Sequence, residues 1–445
     1  MRSRRTTGAV VVLAGLAAGA LAHCTNPTLT ATPIHPDGAV SQDAGTVVIS
    51  DGHGHALTSF PPGGPAEPGA GGIWVTISGE ANAITGYPFP PYDWVNDTYM
   101  YDGWQFNIEA YIVVVGNVVL WSDPNLSATD QSLHGPQVAH LDGTYVVDLH
   151  LGGNIIGQGG GQEQATALGV IGSQNDNGGT AFDPTLTYGF GFSTLPATYS
   201  ATNVNLSADE ADDFAYMVAH GASVYYRGTA VWNGAQSTYG CTETSTTGSP
   251  VDGGYDFSKS PEKGMKFRFA FSTPTRYVNC QNYTAQGMGV GGESSPRGIQ
   301  VSESNGVVAQ ITVHMDHPFW ESFAEDSPVL WDQIAAQYVG VTPPDGGIES
   351  HLDDLHGVPF QGFTDHEGAP IPWRNCSGTN YAPPGNGQMS FATLSVPVDP
   401  HATDPSKAIR DYYDYIRYTQ STQGHLNSQG LCYIDRQFPS PPGGS

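Results

Sequence analysis

The feature that most constrains the fold is a short apolar run, rich in β-branched and aromatic residues, that recurs along the chain between clusters of Gly, Pro, Asn and Asp. The clearest examples are IWVTISGE from Ile73, QFNIEAYIVVVGNVVLW from Gln105, TYVVDLHL from Thr144, LTYGFGFSTL from Leu186, SVYYRGTAVW from Ser223, MKFRFAF from Met265 and VVAQITVHM from Val307. Side chains of these types suit a pleated surface, and the 57 Gly and 33 Pro supply the turns between them. No regular helix separates the runs. The pattern predicts a mainly β protein, an antiparallel β-sandwich of immunoglobulin-like or jelly-roll-like kind with a few peripheral helices, rather than a doubly wound sheet.

Three helices are marked by their end signals. SADEADDFAYMVAHG places Ser207 three residues before Glu210, a capping box, and stops at Gly221, which tolerates a left-handed cap. SPVLWDQIAAQYVG has Ser327 as cap and Pro328 in the first turn, with Leu330, Ile334 and Tyr338 four apart. SKAIRDYYDYIRY carries Ile409, Tyr412, Tyr413 and Ile416 at helical spacing, a pattern of core packing.

The N-terminus reads as an export signal: Arg2, Arg4 and Arg5, an apolar run, then the small-residue stretch ALA before His23 and Cys24. The run is shorter than the ~20 apolar residues that a membrane-spanning helix needs. Cleavage after Ala22 would leave an amino-terminal histidine, able to chelate copper. Cleavage before Cys24 would leave a cysteine for lipid attachment, and LAHC resembles a bacterial lipoprotein box with His23 where a small residue is usual. The expected organisation is a signal peptide over 1–23, a Pro- and Gly-rich disordered tether over 24–72, a β-rich sandwich body over 73–338, and a loop-rich extension with a C-terminal helix packed on the body over 339–445. The expected location is the bacterial cell envelope, lipid-anchored, or the extracellular space.

Export bears on the other cysteines. Cys241, Cys280, Cys376 and Cys432 remain once Cys24 is set aside, an even number that favours disulfides with three pairings open. The formal net charge of -27, from 15 basic against 42 acidic residues, repels phosphate backbones and argues against nucleic-acid binding. It suits a body that holds cations.

The densest chemistry lies in ITVHMDHPFW, residues 311–320. Strand alternation turns Ile311, Val313 and Met315 to one side and Thr312, His314 and Asp316 to the other, while Pro318 ends the pairing and His317 sits at the exit. Two imidazoles beside a carboxylate match copper or zinc, because neutral nitrogen and charged oxygen suit borderline ions. VVDLH offers a second such strand, with Asp148 and His150 two residues apart. Were the two strands neighbours, His150, His314 and His317 would form a three-nitrogen cluster with Asp148 or Asp316 as ligand or orienter. The competing reading is a set of strand-end histidines hydrogen-bonded to carboxylates. Two further acidic and histidine-bearing stretches, ESHLDDLHG around His351 and His356 and DHEG over 365–368, read as solvated loops with donors suited to calcium.

Thr312 to His317 also resembles the metal-binding element of the metallo-β-lactamase fold, His-x-His-x-Asp-His, with Thr312 in place of the first histidine and Pro318 where a helix would begin. The resemblance covers these few residues. It implies that Asp316 and His317 would serve the second metal of a hydrolase whose nucleophile is metal-bound hydroxide. The leading expectation is thus a transition-metal-binding envelope protein. A surface adhesion or carbohydrate-binding module is the rival, resting on Trp94, Trp104, Trp121, Trp232 and Trp320 as candidate stacking rings, and a metal-dependent hydrolase at the same histidines is the third reading. A polysaccharide or protein ligand belongs to the rival.

Overall fold

A computed structural model of the chain describes residues 49–87 (save 51, 53, 62 and 63), 104–158, 164–232, 264–320, 329–338, 341–358, 404 and 409–439. The signal segment, Cys24, Cys241, Cys376, Trp94 and the loop at 365–368 lie outside these residues.

Among the described residues the chain is mainly β, in two sheets. The larger contains β1 (Thr58–Ser59), β3 (Trp104–Trp121), β4 (Gln137–Asp148), β7 (Gly189–Thr194), β8 (Thr202–Asn203), β9 (Val224–Trp232), β10 (Gly264–Phe271), β11 (Thr275–Val278), β13 (Glu349–His351) and β15 (Tyr433–Arg436). The smaller runs β14 (Gly424–Leu426), β12 (Val307–Val313), β2 (Ile73–Gly79), β6 (Gln164–Ile171) and β5 (Ile155–Ile156). The predicted strands are present, but the purely antiparallel arrangement expected is not. β2 and β12 pair in parallel, as do β10 with β13 and both β1 and β4 with β8. The reason is that β2 and β12 are buried on both faces, so their alternation carries no information about the direction of the partner strand.

The 18-residue β3 organises the core. Its Tyr111, Val113 and Val115 join Ile77, Ile311 and Val313 of the smaller sheet in one apolar cluster. Its alternate residues Ala110, Ile112 and Val114 meet Phe214 and Met217 of α2 (Ala211–His220) on the opposite face. The 3₁₀ turn Ala208–Glu210 that leads into this helix has the predicted Ser207–Glu210 capping box, and the helix ends at a left-handed Gly221. The second expected helix is reduced to α3 (Asp332–Ala335) and a 3₁₀ turn, whereas the third forms as α4 (Tyr412–Gln420), capped by Asp411. A further short helix, α1 (Ala81–Thr85), follows β2.

Two segments outside the expected body are built into it. Ile49 and Leu57 are buried in the second cluster, and β1 extends the larger sheet, so part of the 24–72 stretch is structured. β14 and β15 bring the C-terminal region into both sheets, and Cys280 is bonded to Cys432.

Candidate metal centre

The outer face of β12 carries polar side chains, yet it is buried: β14 pairs along its edge, and the turn after β14 sets Ser428 against Thr312 and His314. Gln310 donates to Ser78 Oγ (2.8 Å) and Thr312 Oγ1 (3.1 Å), and Ser428 N donates to Thr312 Oγ1 (3.0 Å). This satisfied polar layer leads directly to the histidines. His425 on β14 stands opposite Thr312, and His314 N donates to Gln423 O, so His314 and His425 are diagonal neighbours on one face with ring centroids 4.2 Å apart. Gly424 is required beside them, because a Cβ there would lie 2.5 Å from the Tyr277 ring.

His317 comes from the 3₁₀ turn His317–Phe319 that Pro318 initiates. Its ring is 5.2 Å from that of His314 and 5.5 Å from that of His425, and it stacks on Trp320 at 3.7 Å. All three histidines are buried, with donor atoms lying within 4.8 Å of one another. Two carboxylates stand at the more open side. Glu80, between β2 and α1, places Oε1 3.1 Å from His314 Nδ1, and Asp316 places Oδ1 3.9 Å from His317 Nε2. Trp320 Nε1 holds the other Asp316 oxygen at 2.9 Å.

Hydrogen bonds fix which nitrogens carry lone pairs. The Thr422 hydroxyl donates its single proton to Thr419 O (2.7 Å), so at 2.6 Å it accepts from His317 Nδ1–H, and Nε2 of a neutral His317 is left as a donor to metal. His314 Nε2 donates to the Ser428 carbonyl at 3.1 Å and Nδ1 donates to Glu80 Oε1 at 3.1 Å, so Nδ1 is the nitrogen that would give up its proton to bind a metal, with Glu80 beside it. Neither ring nitrogen of His425 has a well-formed hydrogen bond; the backbone near Thr422 and Gln429 offers weak contacts only. Burial first, then His314 and, for His317, also His425, push the pKa of both His317 and His425 well below the usual value, which favours their neutral forms. Neutral imidazole is the form that binds a transition metal.

His314, Asp316 and His317 are brought together as the strand pattern suggested, whereas Asp148 and His150 do not join them. β4 belongs to the other sheet, so the adjacency that would have added His150 to the cluster does not occur. His150 Nδ1 faces the Ala83 carbonyl at 2.8 Å, and Asp148 accepts from Tyr111 N (2.9 Å) and His150 N (2.8 Å) and meets Glu210. Sequence reasoning missed His425 and Glu80. The available signal for His425 was its place in QSTQGHLNSQG, a polar run just after an amphipathic helix and near a cysteine; Glu80 had none. His351 pairs with Glu349 and His356 stacks on Tyr413, apart from the cluster. Trp104, Trp121, Trp232 and Trp320 are all buried, so none of these four offers an exposed stacking face.

No protein-family model matches the sequence, and neither a curated protein nor a solved structure does.

Proposed function

We propose that this protein binds one transition-metal ion, zinc or copper, through His314, His317 and His425, with Glu80 as the nearest carboxylate ligand and Asp316 as a further oxygen donor. The observation that carries the reading is His425. It is a buried imidazole without a well-formed hydrogen bond, standing beside a second whose free nitrogen is set by Thr422. An unsatisfied buried polar group costs ~1–3 kcal/mol, and a coordinate bond to a metal removes that cost. Three nitrogens and a carboxylate make a closed tetrahedral set for zinc, with a metal–nitrogen distance near ~2.0–2.1 Å. Copper suits the same donors.

The N-terminal sequence supports a place for this centre: export, with lipid attachment at Cys24 and the cell envelope as destination. The Cys280–Cys432 bond accords with an oxidising compartment. Zinc titration followed by calorimetry on the metal-free chain tests the site. One ion bound per chain is expected, with binding weakened at least a hundredfold in both His317→Ala and His425→Ala. Equal affinity in the native chain and both variants would refute it.

A further inference from the structure

A second feature lies on the outer face of the larger sheet, where a cavity of about 490 Å³ crosses β4, β3, β7 and β11. Its volume falls in the range of small-molecule sites, roughly 300–1,000 Å³. At one end His140 sits between two carboxylates: Nδ1 is 2.9 Å from Asp176 Oδ1 and Nε2 is 3.0 Å from Asp142 Oδ1. Gln137 Nε2 donates to the other Asp176 oxygen at 2.7 Å, which fixes that carboxylate. At the opposite wall Arg276 projects from β11, 54% exposed, and spends one nitrogen on Asp435 at 3.0 Å. Between them the floor is formed by the half-buried Val119, on the same face as His140, and by Ser193, on the same face as Arg276.

The charge pattern selects a ligand class. An imidazole with a carboxylate on each nitrogen is favoured as a cation, so the lining sets Asp142 and Asp176 against His140 and Arg276, with Asp435 outside the lining as a third carboxylate on Arg276. A phosphate or sulfate brought to Arg276 would meet Asp142 and Asp176, and an amine brought to the carboxylates would meet His140 and Arg276. A neutral ligand whose every hydroxyl both donates and accepts suffers neither repulsion. Planar Asp and Arg side chains can pair with vicinal hydroxyls, and Val119 offers an apolar surface for C–H groups.

We infer that this cavity is a binding site for a neutral saccharide of two or three units, held by Asp142, Asp176 and Arg276 over Val119. The site is independent of the metal centre. Calorimetric titration of the full chain with maltotriose, cellotriose, xylotriose and mannotriose tests it, with inorganic phosphate and cadaverine as charged controls. At least one trisaccharide is expected to bind with a dissociation constant near or below ~1 mM. Asp142→Ala, at a side chain that is 93% exposed, should weaken it about tenfold, and Val119→Trp, which fills the floor, should abolish it. The inference is overturned if no trisaccharide binds at about 10 mM, if either charged control binds more tightly than all four, or if Asp142→Ala, with an unchanged circular dichroism spectrum, binds as the native chain does.

Discussion

Asp148 and Glu210 form a buried pair of acids whose removal has a calculable effect. Asp148 Oδ1 is engaged by two backbone amides and Glu210 Oε2 accepts from Ser207 N at 2.6 Å. The remaining oxygens, Asp148 Oδ2 and Glu210 Oε1, are buried and face each other. Two carboxylates so placed share a proton. Burial first, then the hydrogen bond and charge of Asp148, push the Glu210 pKa from 4.5 to about 8. A folded pKa above the unfolded one means that the native state binds the proton more tightly. Its contribution to stability is therefore complete below pH 4.5 and is lost as pH rises through 8.

The whole rise would correspond to roughly 5 kcal/mol at 1.36 kcal/mol per pH unit. Because Asp148 shares the proton, replacing Glu210 alone is expected to recover ~2–3 kcal/mol at alkaline pH. Glu210→Gln is the informative change. The amide oxygen can still accept from Ser207 N while the amide nitrogen donates to Asp148 Oδ2, so geometry is kept and the titration is removed. Urea unfolding followed by tryptophan fluorescence at about pH 5, 7 and 9 should show the variant near the native chain at the lowest pH and progressively more stable above it. Parallel curves for the two proteins across this range would refute the shared proton.

Three further outcomes follow from other contacts. Cys432→Ser opens a link spanning 152 residues and should cost ~4–5 kcal/mol of unfolding free energy in the oxidised protein, measured by thermal or urea denaturation. Asp213 is buried and binds Tyr225 Oη (2.6 Å), Arg227 Nε (3.0 Å) and Arg268 Nη2 (3.3 Å), so Asp213→Ala should lose ~3 kcal/mol in the same assay and Asp213→Asn less. Thr422→Val keeps the shape but leaves His317 Nδ1–H unpaired; zinc affinity should fall about tenfold in a chelator competition, with little change in unfolding free energy.

The legibility of the fold divides along a physical line. Local signals succeeded where the deciding forces are local: the Ser207–Glu210 box, the left-handed Gly221 and the alternation of Ile311 and Val313 against Thr312 and His314 all appear as the sequence suggested. Strand partners were not legible, because hydrogen-bonded pairing is blind to side-chain identity when both faces are buried. The parallel β2–β12 pair and the pairing of β14 along the other edge of β12 are consequences of that. The site divides in the same way. His314, Asp316 and His317 are near in sequence and stayed together, whereas His425 arrives through β14 and Glu80 through β2, by contacts that no short window contains.

The central claim is that His425, and not His150, completes the centre begun by His314 and His317. Elemental analysis of the purified protein, native and as His425→Leu and His150→Ala, tests it most directly. The account predicts one equivalent of zinc or copper in the native chain and in His150→Ala, and none in His425→Leu with folding preserved by circular dichroism. Metal retained in His425→Leu, or absent from a native chain that also fails to take up added zinc or copper, would contradict it.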